Sequence, residues 1–539
     1  MTVATAALSR LAPDGSGYAL TALLGGVPYQ TSMLDWVPDG DGGVVATIAS
    51  QIDLAALRLG TKKVDDRISL TLNSEGMPQR LVRASGGQSL ALDLIGGRAK
   101  AVLHDGTQLD VEADVSVIVD GNSGILTAIA IAIAVERGEA IEGRRRVLIA
   151  GQLLAIDYGL KPADDGRWQS TLDEDLTVSG DGVLTDIVMA TQGLRIRLAT
   201  PDEITLLRVP PDDAERWPAV VSDQQVGPGH REIDVRLSGN RAVAALVRTT
   251  ARPARGVALL LAGSGQVDRF GMGGGIDTGI GRLADALARA DIMAMTADRQ
   301  GAGRTPTGAD VLERGYRSEV DEAASLVAAA AKLTNPPCLP VLIGHSLGGL
   351  TALAVAAERA VPIAALVLLA TPGRQMDRVM EDQIEWIAGR RGLARDAIDK
   401  QIDEHRVLMA AMRSDEEWSA ATVPEKFLAQ ARLRPWLKGL LTLDPVALIE
   451  RVNVPVFIGQ GDRDVQVSAV RDFQSLAAAA GPRSDHHLYP GVDHMLNVVD
   501  DNGAIENYAR ADRAIDPRLL ADVVAFTRNH CAVGATQAL

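Results

Sequence analysis

Gly344-His345-Ser346-Leu347-Gly348 is the segment of this sequence best suited to chemistry. It follows the apolar run Leu339–Ile343 and opens the helical stretch Leu347–Arg359. A G-x-S-x-G segment between a strand and a helix makes a turn so tight that side chains two positions from the serine would collide. Glycines at 344 and 348 relieve that collision and leave the Ser346 hydroxyl exposed at the end of the strand. A helix beginning at Leu347 would also offer unpaired backbone N–H groups to an anionic oxygen. Those are the requirements for nucleophilic attack on a carbonyl carbon.

Such a serine needs a base, and the base needs an orienting carboxylate. In this strand–turn–helix setting the chain order is serine, acid, histidine. After the apolar run Val454–Ile458 come Gly459-Gln460-Gly461-Asp462-Arg463-Asp464-Val465-Gln466-Val467, with Asp462 and Asp464 competing for the acid's place. Further on stands Tyr489-Pro490-Gly491-Val492-Asp493-His494. Asp493 is expected to face solvent, His345 to pack or cap, and His486 and His487 to be structural in a strand-like segment. Ser264 reads either as a turn serine or as the donor of a backbone N–H. Met376, Met380, Ile384, Trp386 and Ile387 have a helical spacing that fits core packing and an apolar pocket equally. No H-E-x-x-H, paired cysteines or EF-hand spacing occurs, so neither metal nor cofactor is expected.

These residues need a sheet to bring them together. Beyond residue 229, continuous apolar runs (Val257–Leu261, Ile292–Thr296, Leu339–Ile343, Ala365–Leu369, Val454–Ile458) alternate with helical stretches at Leu283–Ala290, Val311–Leu333 and Leu347–Arg359. That grammar predicts a mostly parallel, doubly wound sheet covered on both faces. The helical segment at about 372–445 interrupts the rhythm and reads as an inserted lid.

The first 229 residues follow another pattern. From Arg67 on, Ile68, Leu70 and Leu72, then Leu90, Leu92 and Leu94, then Leu109, Val111, Ala113, Val115 and Val117 alternate with other residues. Period two marks strands with one buried face. Turn signals at Asn73–Gly76, Gly86-Gly87, Gly96-Gly97 and Asp105-Gly106 make the region an antiparallel meander. Further strands are expected at Val147–Ile156, Val183–Ala190 and Leu194–Leu198. The run Ile125–Val135 is too short to span a bilayer and predicts a covering helix near 125–136. Residues 210–229, rich in Pro, Asp and Gly, read as the linker between a β-rich domain (1–229) and an α/β domain (230–539).

Composition agrees with this division. The 539 residues are 47% apolar and 23% charged, and 54 basic against 69 acidic side chains leave a net charge of −15. An acidic chain lacks the clustered cations that a nucleic-acid partner requires. Two cysteines, Cys338 and Cys531, cannot build a disulfide framework. The first residues have no basic stretch leading into an apolar one, so a cytoplasmic location with no membrane span is expected.

The residues beyond 230 resemble the α/β-hydrolase fold superfamily, over roughly 230–530. The matching stretches are Leu261-Ala262-Gly263-Ser264-Gly265-Gln266-Val267-Asp268-Arg269, Asp298-Arg299-Gln300-Gly301-Ala302-Gly303-Arg304-Thr305, the Ser346 turn, Gly461…Asp464…Val467 and Gly491…His494. The resemblance implies that Ser346 is the nucleophile, His494 the general base and Asp464, rather than Asp462, its orienting acid. It also implies an oxyanion hole from the backbone N–H groups of Leu347 and Ser264. Ala262 replaces the family's usual histidine and Gln300 its usual arginine, which leaves subfamily and substrate open.

The expected function is hydrolysis of a small-molecule carboxylic ester or lactone through an acyl-enzyme. Thioesterase, acyltransferase and C–C bond hydrolase activities would use the same residues. A non-catalytic protein whose β-rich third binds an amphiphile is the contrasting reading, and that third could also pair subunits into a homo-oligomer.

Overall fold

The structure is a computed structural model. It describes residues 1–24, 27–53, 63–85, 88–95, 98–103, 106–112, 117–119, 124–149, 154–163, 166–172, 174–189, 194–208, 226, 229–237, 241–273, 276–306, 314–359, 361–390, 393–419, 422–423, 427, 431–500, 508 and 513–531. By internal contacts the chain divides into two compact units: Met1–Trp217 with Ile387–Leu433, and Pro218–Trp386 with Arg434–Leu539. The expected turns at Gly86-Gly87, Gly96-Gly97 and Asp105, the strand positions Ala113 and Val115, and nearly all of the 210–229 linker lie outside the described residues.

The first unit holds a 15-stranded sheet. Strand Ser16–Leu24 pairs with Val27–Pro38 on one side and with Leu194–Leu198 on the other. From that centre hairpins run outward to the edge strands Gln108–Glu112 and Val117–Val119. All pairings are antiparallel except the last, where Gly143–Ile149 runs parallel to Val117–Val119. The period-two pattern sets the register: Val44, Ala46 and Ile48 face Leu72, Leu70 and Ile68 on the same buried side.

The meander begins earlier than the pattern suggests. In Ser16–Leu24 the residues Ala19, Leu20, Thr21 and Ala22 are all buried, so no alternation is visible. Thr21 hydrogen-bonds Glu203 of helix Pro201–Arg208, whose carboxylate also pairs with Arg197. Helix Ile125–Glu136 is apolar on every side and correspondingly buried, as the run predicts. It packs against helix Val3–Leu11. The run Val147–Ile156 resolves into two strands, Gly143–Ile149 and Leu154–Pro162.

The second unit is built on eight strands: β1 (His230–Arg236), β2 (Ala242–Arg248), β3 (Gly256–Leu261), β4 (Ile292–Ala297), β5 (Val341–His345), β6 (Ala365–Leu369), β7 (Val456–Gly461) and β8 (Ser484–Tyr489). Their spatial order is β1-β2-β4-β3-β5-β6-β7-β8, antiparallel for the first two pairings and parallel thereafter. Every residue of β5 and β6 is buried, as continuous apolar strands between two helical layers must be. Helices Ile280–Arg289 and Pro517–His530 contribute Leu283, Leu287, Leu519 and Val523 to one core with Leu260, Ile343, Val367 and Phe457. Helix Arg317–Ala330 starts later than the expected Val311, and residues 311–313 lie outside the described set.

The strand order reverses at β3, which lies between β4 and β5. At such a switch point the loops leaving neighbouring strands part, and a crevice opens beyond their C-terminal ends. The loops that leave β3 and β5 carry Ser264 and Ser346. Between β6 and β7 stand the helices Met376–Arg390, Arg395–Arg413, Arg434–Leu441 and Pro445–Glu450.

Candidate active site

Ser346 follows β5 directly, with φ 53° and ψ −123°. A residue with a side chain in that left-handed region costs on the order of 1–3 kcal/mol and persists only when its surroundings impose it. Here they do. The Ser346 N–H donates to the Leu369 carbonyl at 2.9 Å, tying the turn to β6. Backbone meets backbone on the other side. A Cβ at Gly344 would stand 2.6 Å from Gly349 Cα, and one at Gly348 would stand 2.5 Å from the Leu261 carbonyl at the end of β3. Helix Leu347–Glu358 is held from behind by Thr351, whose hydroxyl lies 2.8 Å from that of the buried Tyr316.

His494 lies in the loop after β8. Its Nδ1 is 2.8 Å from Asp464 Oδ2, and its Nε2 is 3.1 Å from Ser346 Oγ. A carboxylate only accepts, so the proton belongs on Nδ1 and the Nε2 lone pair faces the serine hydroxyl. Both side chains are shut away from water, His494 at 3% and Asp464 at 0% exposure. Asp464 is itself fixed by three donors at 2.8 Å: Gln460 Nε2 and the backbone N–H groups of Gln466 and Val467. Three donors hold that carboxylate in one orientation. Asp462 points elsewhere, accepting the Gly491 N–H at 2.7 Å at the surface.

Asp493 departs from expectation. It is fully buried rather than solvent-facing, paired with Arg513 and accepting the Asn497 N–H at 3.0 Å. An unpaired buried carboxylate would be costly, and Arg513 supplies the counter-charge. Position 493 shows no period or motif in the sequence, and its partner Arg513 lies 20 positions further along the chain.

Loop Ala262–Gly265 leaves β3 beside the serine: a Cβ on Gly263 would stand 3.2 Å from Ser346 Cβ. For the N–H groups of Ser264 and Leu347, no backbone acceptor is found among the described residues. Behind this loop Asp298, at the end of β4, accepts the N–H groups of Arg269 and Arg304 at 2.6 and 2.7 Å and pairs with the Arg269 guanidinium. Burial pushes the Asp298 carboxyl up, while Arg269 and the two N–H donors pull it down. The D-R and D-x-x-G-x-G stretches therefore serve to clamp two loops together. Asp472 has a similar office, binding the N–H groups of Gly373, Arg374 and Ser468.

His345 fills the space behind His494. Its Nε2 is 2.7 Å from the His494 carbonyl oxygen, and the two rings stand 5.0 Å apart. Burial, reinforced by His494, pushes its pKa down to about 4. His487 stacks on Phe457 and bonds Asp485, as a structural residue would. Met376, Met380, Ile384, Trp386 and Ile387 are all half-buried.

Among the described residues no three His, Cys, Asp or Glu side chains are grouped to hold a metal ion, and no helix is long and apolar enough to cross a membrane. Chemically, the Ser346–His494–Asp464 chain of hydrogen bonds can draw a proton from a hydroxyl.

Residues 277–500 match the family model described as serine aminopeptidase, S33. No curated protein matches the chain. Similar solved structures include a proline iminopeptidase from Mycobacterium smegmatis, at 16% identity, 56% of this chain, 98% of that chain and a TM-score of 0.36. The esterase domain of a Rhodothermus marinus protein is 14% identical, over 56% of this chain and 98% of that one, with a TM-score of 0.32. A thioesterase domain from the curacin biosynthetic pathway is 15% identical, over 55% and 99%, with a TM-score of 0.33.

Proposed function

We propose that this chain, whose C-terminal part is an α/β-hydrolase, is a serine hydrolase that cleaves a carboxylic ester or lactone of a small molecule through an acyl-enzyme on Ser346. What chiefly supports the reading is the unbroken line of hydrogen bonds from Ser346 Oγ through the His494 ring to Asp464, at 3.1 and 2.8 Å. His494 Nε2 takes the Ser346 proton as Oγ attacks the carbonyl carbon. The resulting imidazolium is stabilised by Asp464 through Nδ1–H. The tetrahedral oxyanion is held by the Leu347 and Ser264 N–H groups. Collapse expels the alcohol, which leaves with the proton from His494. Water then attacks the acyl-enzyme by the same route, and the freed acid departs.

No cofactor enters any of these steps. A second reading, cleavage of an amide at a peptide's N-terminus, is favoured by the description of the family model that spans Ser346, Asp464 and His494. Thioester, acyl-transfer and C–C cleavage would share the acyl-enzyme. Residues 1–229 supply none of the reacting groups in this scheme. A cytoplasmic site of action fits the two buried, unpaired cysteines.

A fluorophosphonate probe tests the reading. Wild type should label and Ser346→Ala should not, and a folded wild type that fails to label overturns it. A panel of p-nitrophenyl esters, lactones, thioesters and aminoacyl anilides then separates ester from amide cleavage.

A further inference from the structure

His345 is buried and titratable, and the scheme above does not use it. Its Nε2 lies 2.7 Å from the His494 main-chain oxygen. A carbonyl oxygen can only accept, so Nε2 carries the hydrogen and Nδ1 carries the lone pair. That Nδ1 is buried without a hydrogen-bond partner among the described residues. It faces the loop after β3, where a Cβ on Gly263 would stand 3.3 Å away. One ring thus touches three parts at once: the end of β5 from which it springs, the loop of the base, and the loop of Ser264.

We infer that His345 is a positioning residue, whose Nε2–H holds the His494 main chain at the height from which the His494 ring reaches Ser346. The inference rests on His494 acting as the base. Its grip is direct: the atom it holds belongs to the same residue whose Nε2 must come within 3.1 Å of Ser346 Oγ. Asp464 orients the far side of that ring, through its Nδ1. The main-chain anchor therefore comes from a residue adjacent to the nucleophile, so the strand that presents Ser346 also sets the distance to its base. Displacing a reacting group by about 1 Å can cost on the order of 100-fold in rate. A single lost anchor is enough for that.

The unpaired Nδ1 argues against a simple filling role. A leucine or phenylalanine would occupy an apolar gap without leaving a buried acceptor unsatisfied, which is costly. The ring's value lies in its donor.

The test compares His345→Leu with His345→Gln, whose amide can present a donor along the same line. Initial rates with p-nitrophenyl acetate, circular dichroism and thermal melts are recorded for both, with His494→Ala as control. His345→Leu should lose about 10- to 100-fold in kcat with KM changed less than about threefold. His345→Gln should recover most of that loss. The low-field proton resonance of His494 Nδ1–H should remain in the Gln variant and shift or broaden in the Leu variant. Wild-type kcat in a folded Leu variant overturns the inference. So does a Gln variant as slow as Leu at equal thermal stability. If His494→Ala keeps full activity, the reading of His494 as base fails instead, and the two failures are told apart.

Discussion

Acidification should weaken the fold through His345, and replacing that ring with glutamine should remove the effect. In the unfolded chain the imidazole titrates at its ordinary 6.5, whereas burial beside His494 pushes it down to about 4 in the fold. Between those values the unfolded chain binds the proton and the folded chain does not, so stability rises with pH across the window. The contribution is fully present above pH 6.5 and is lost as pH falls toward 4. A difference of 2.5 pH units (6.5 − 4) corresponds to roughly 3.5 kcal/mol, since one unit is about 1.4 kcal/mol. Of this, about 1.4 kcal/mol should be gone at pH 5.5 and about 2.6 kcal/mol at pH 4.5. Urea unfolding of wild type and His345→Gln at pH 7.5, 6.5, 5.5 and 4.5 reads the effect as a difference of differences, which cancels the carboxylates common to both. Histidine-labelled NMR gives the same quantity directly, as a ring that does not titrate above pH 5. Parallel loss of stability in the two proteins, or a His345 resonance titrating near 6.5, would refute the reasoning.

Three further outcomes follow from the geometry. Asp464→Asn should lower kcat by about 10³- to 10⁴-fold by breaking the hold on the His494 tautomer, while Asp462→Asn should stay within about threefold, as steady-state kinetics would show. Gly348→Ala would press a methyl group into the Leu261 carbonyl, and melting should reveal a loss of at least about 1–3 kcal/mol or a failure to fold. Arg269→Met leaves Asp298 buried without its cation, which should cost about 3–5 kcal/mol in denaturant unfolding while leaving Ser346 reactive toward a fluorophosphonate in the folded fraction.

Legibility followed the range of the interactions. The Ser346 turn could be read from five consecutive residues because the collision that demands its glycines is local. Strands β3 to β7 are legible as near-continuous apolar runs because burial on both faces admits few polar residues. Strand β1 is less legible, being an edge strand whose His230, Arg231, Glu232 and Asp234 give it the composition of a loop. The first meander strands escaped for the opposite reason, as Ala19 to Ala22 are buried on both sides and lose period two. Helix Pro517–His530 is capped by Asp516, whose side chain accepts the N–H groups of Arg518 and Leu519.

By itself the sequence determined the kinds of groups that meet, since a serine in a glycine-flanked turn, a later carboxylate and a last histidine are properties of types and order. Only the tertiary structure decided that Asp493 turns inward to Arg513 and that His345 grips the main chain of His494. Each of those outcomes depends on where a loop from one strand falls relative to another. Chain order does not carry that distance; the packing of β3, β5, β7 and β8 does.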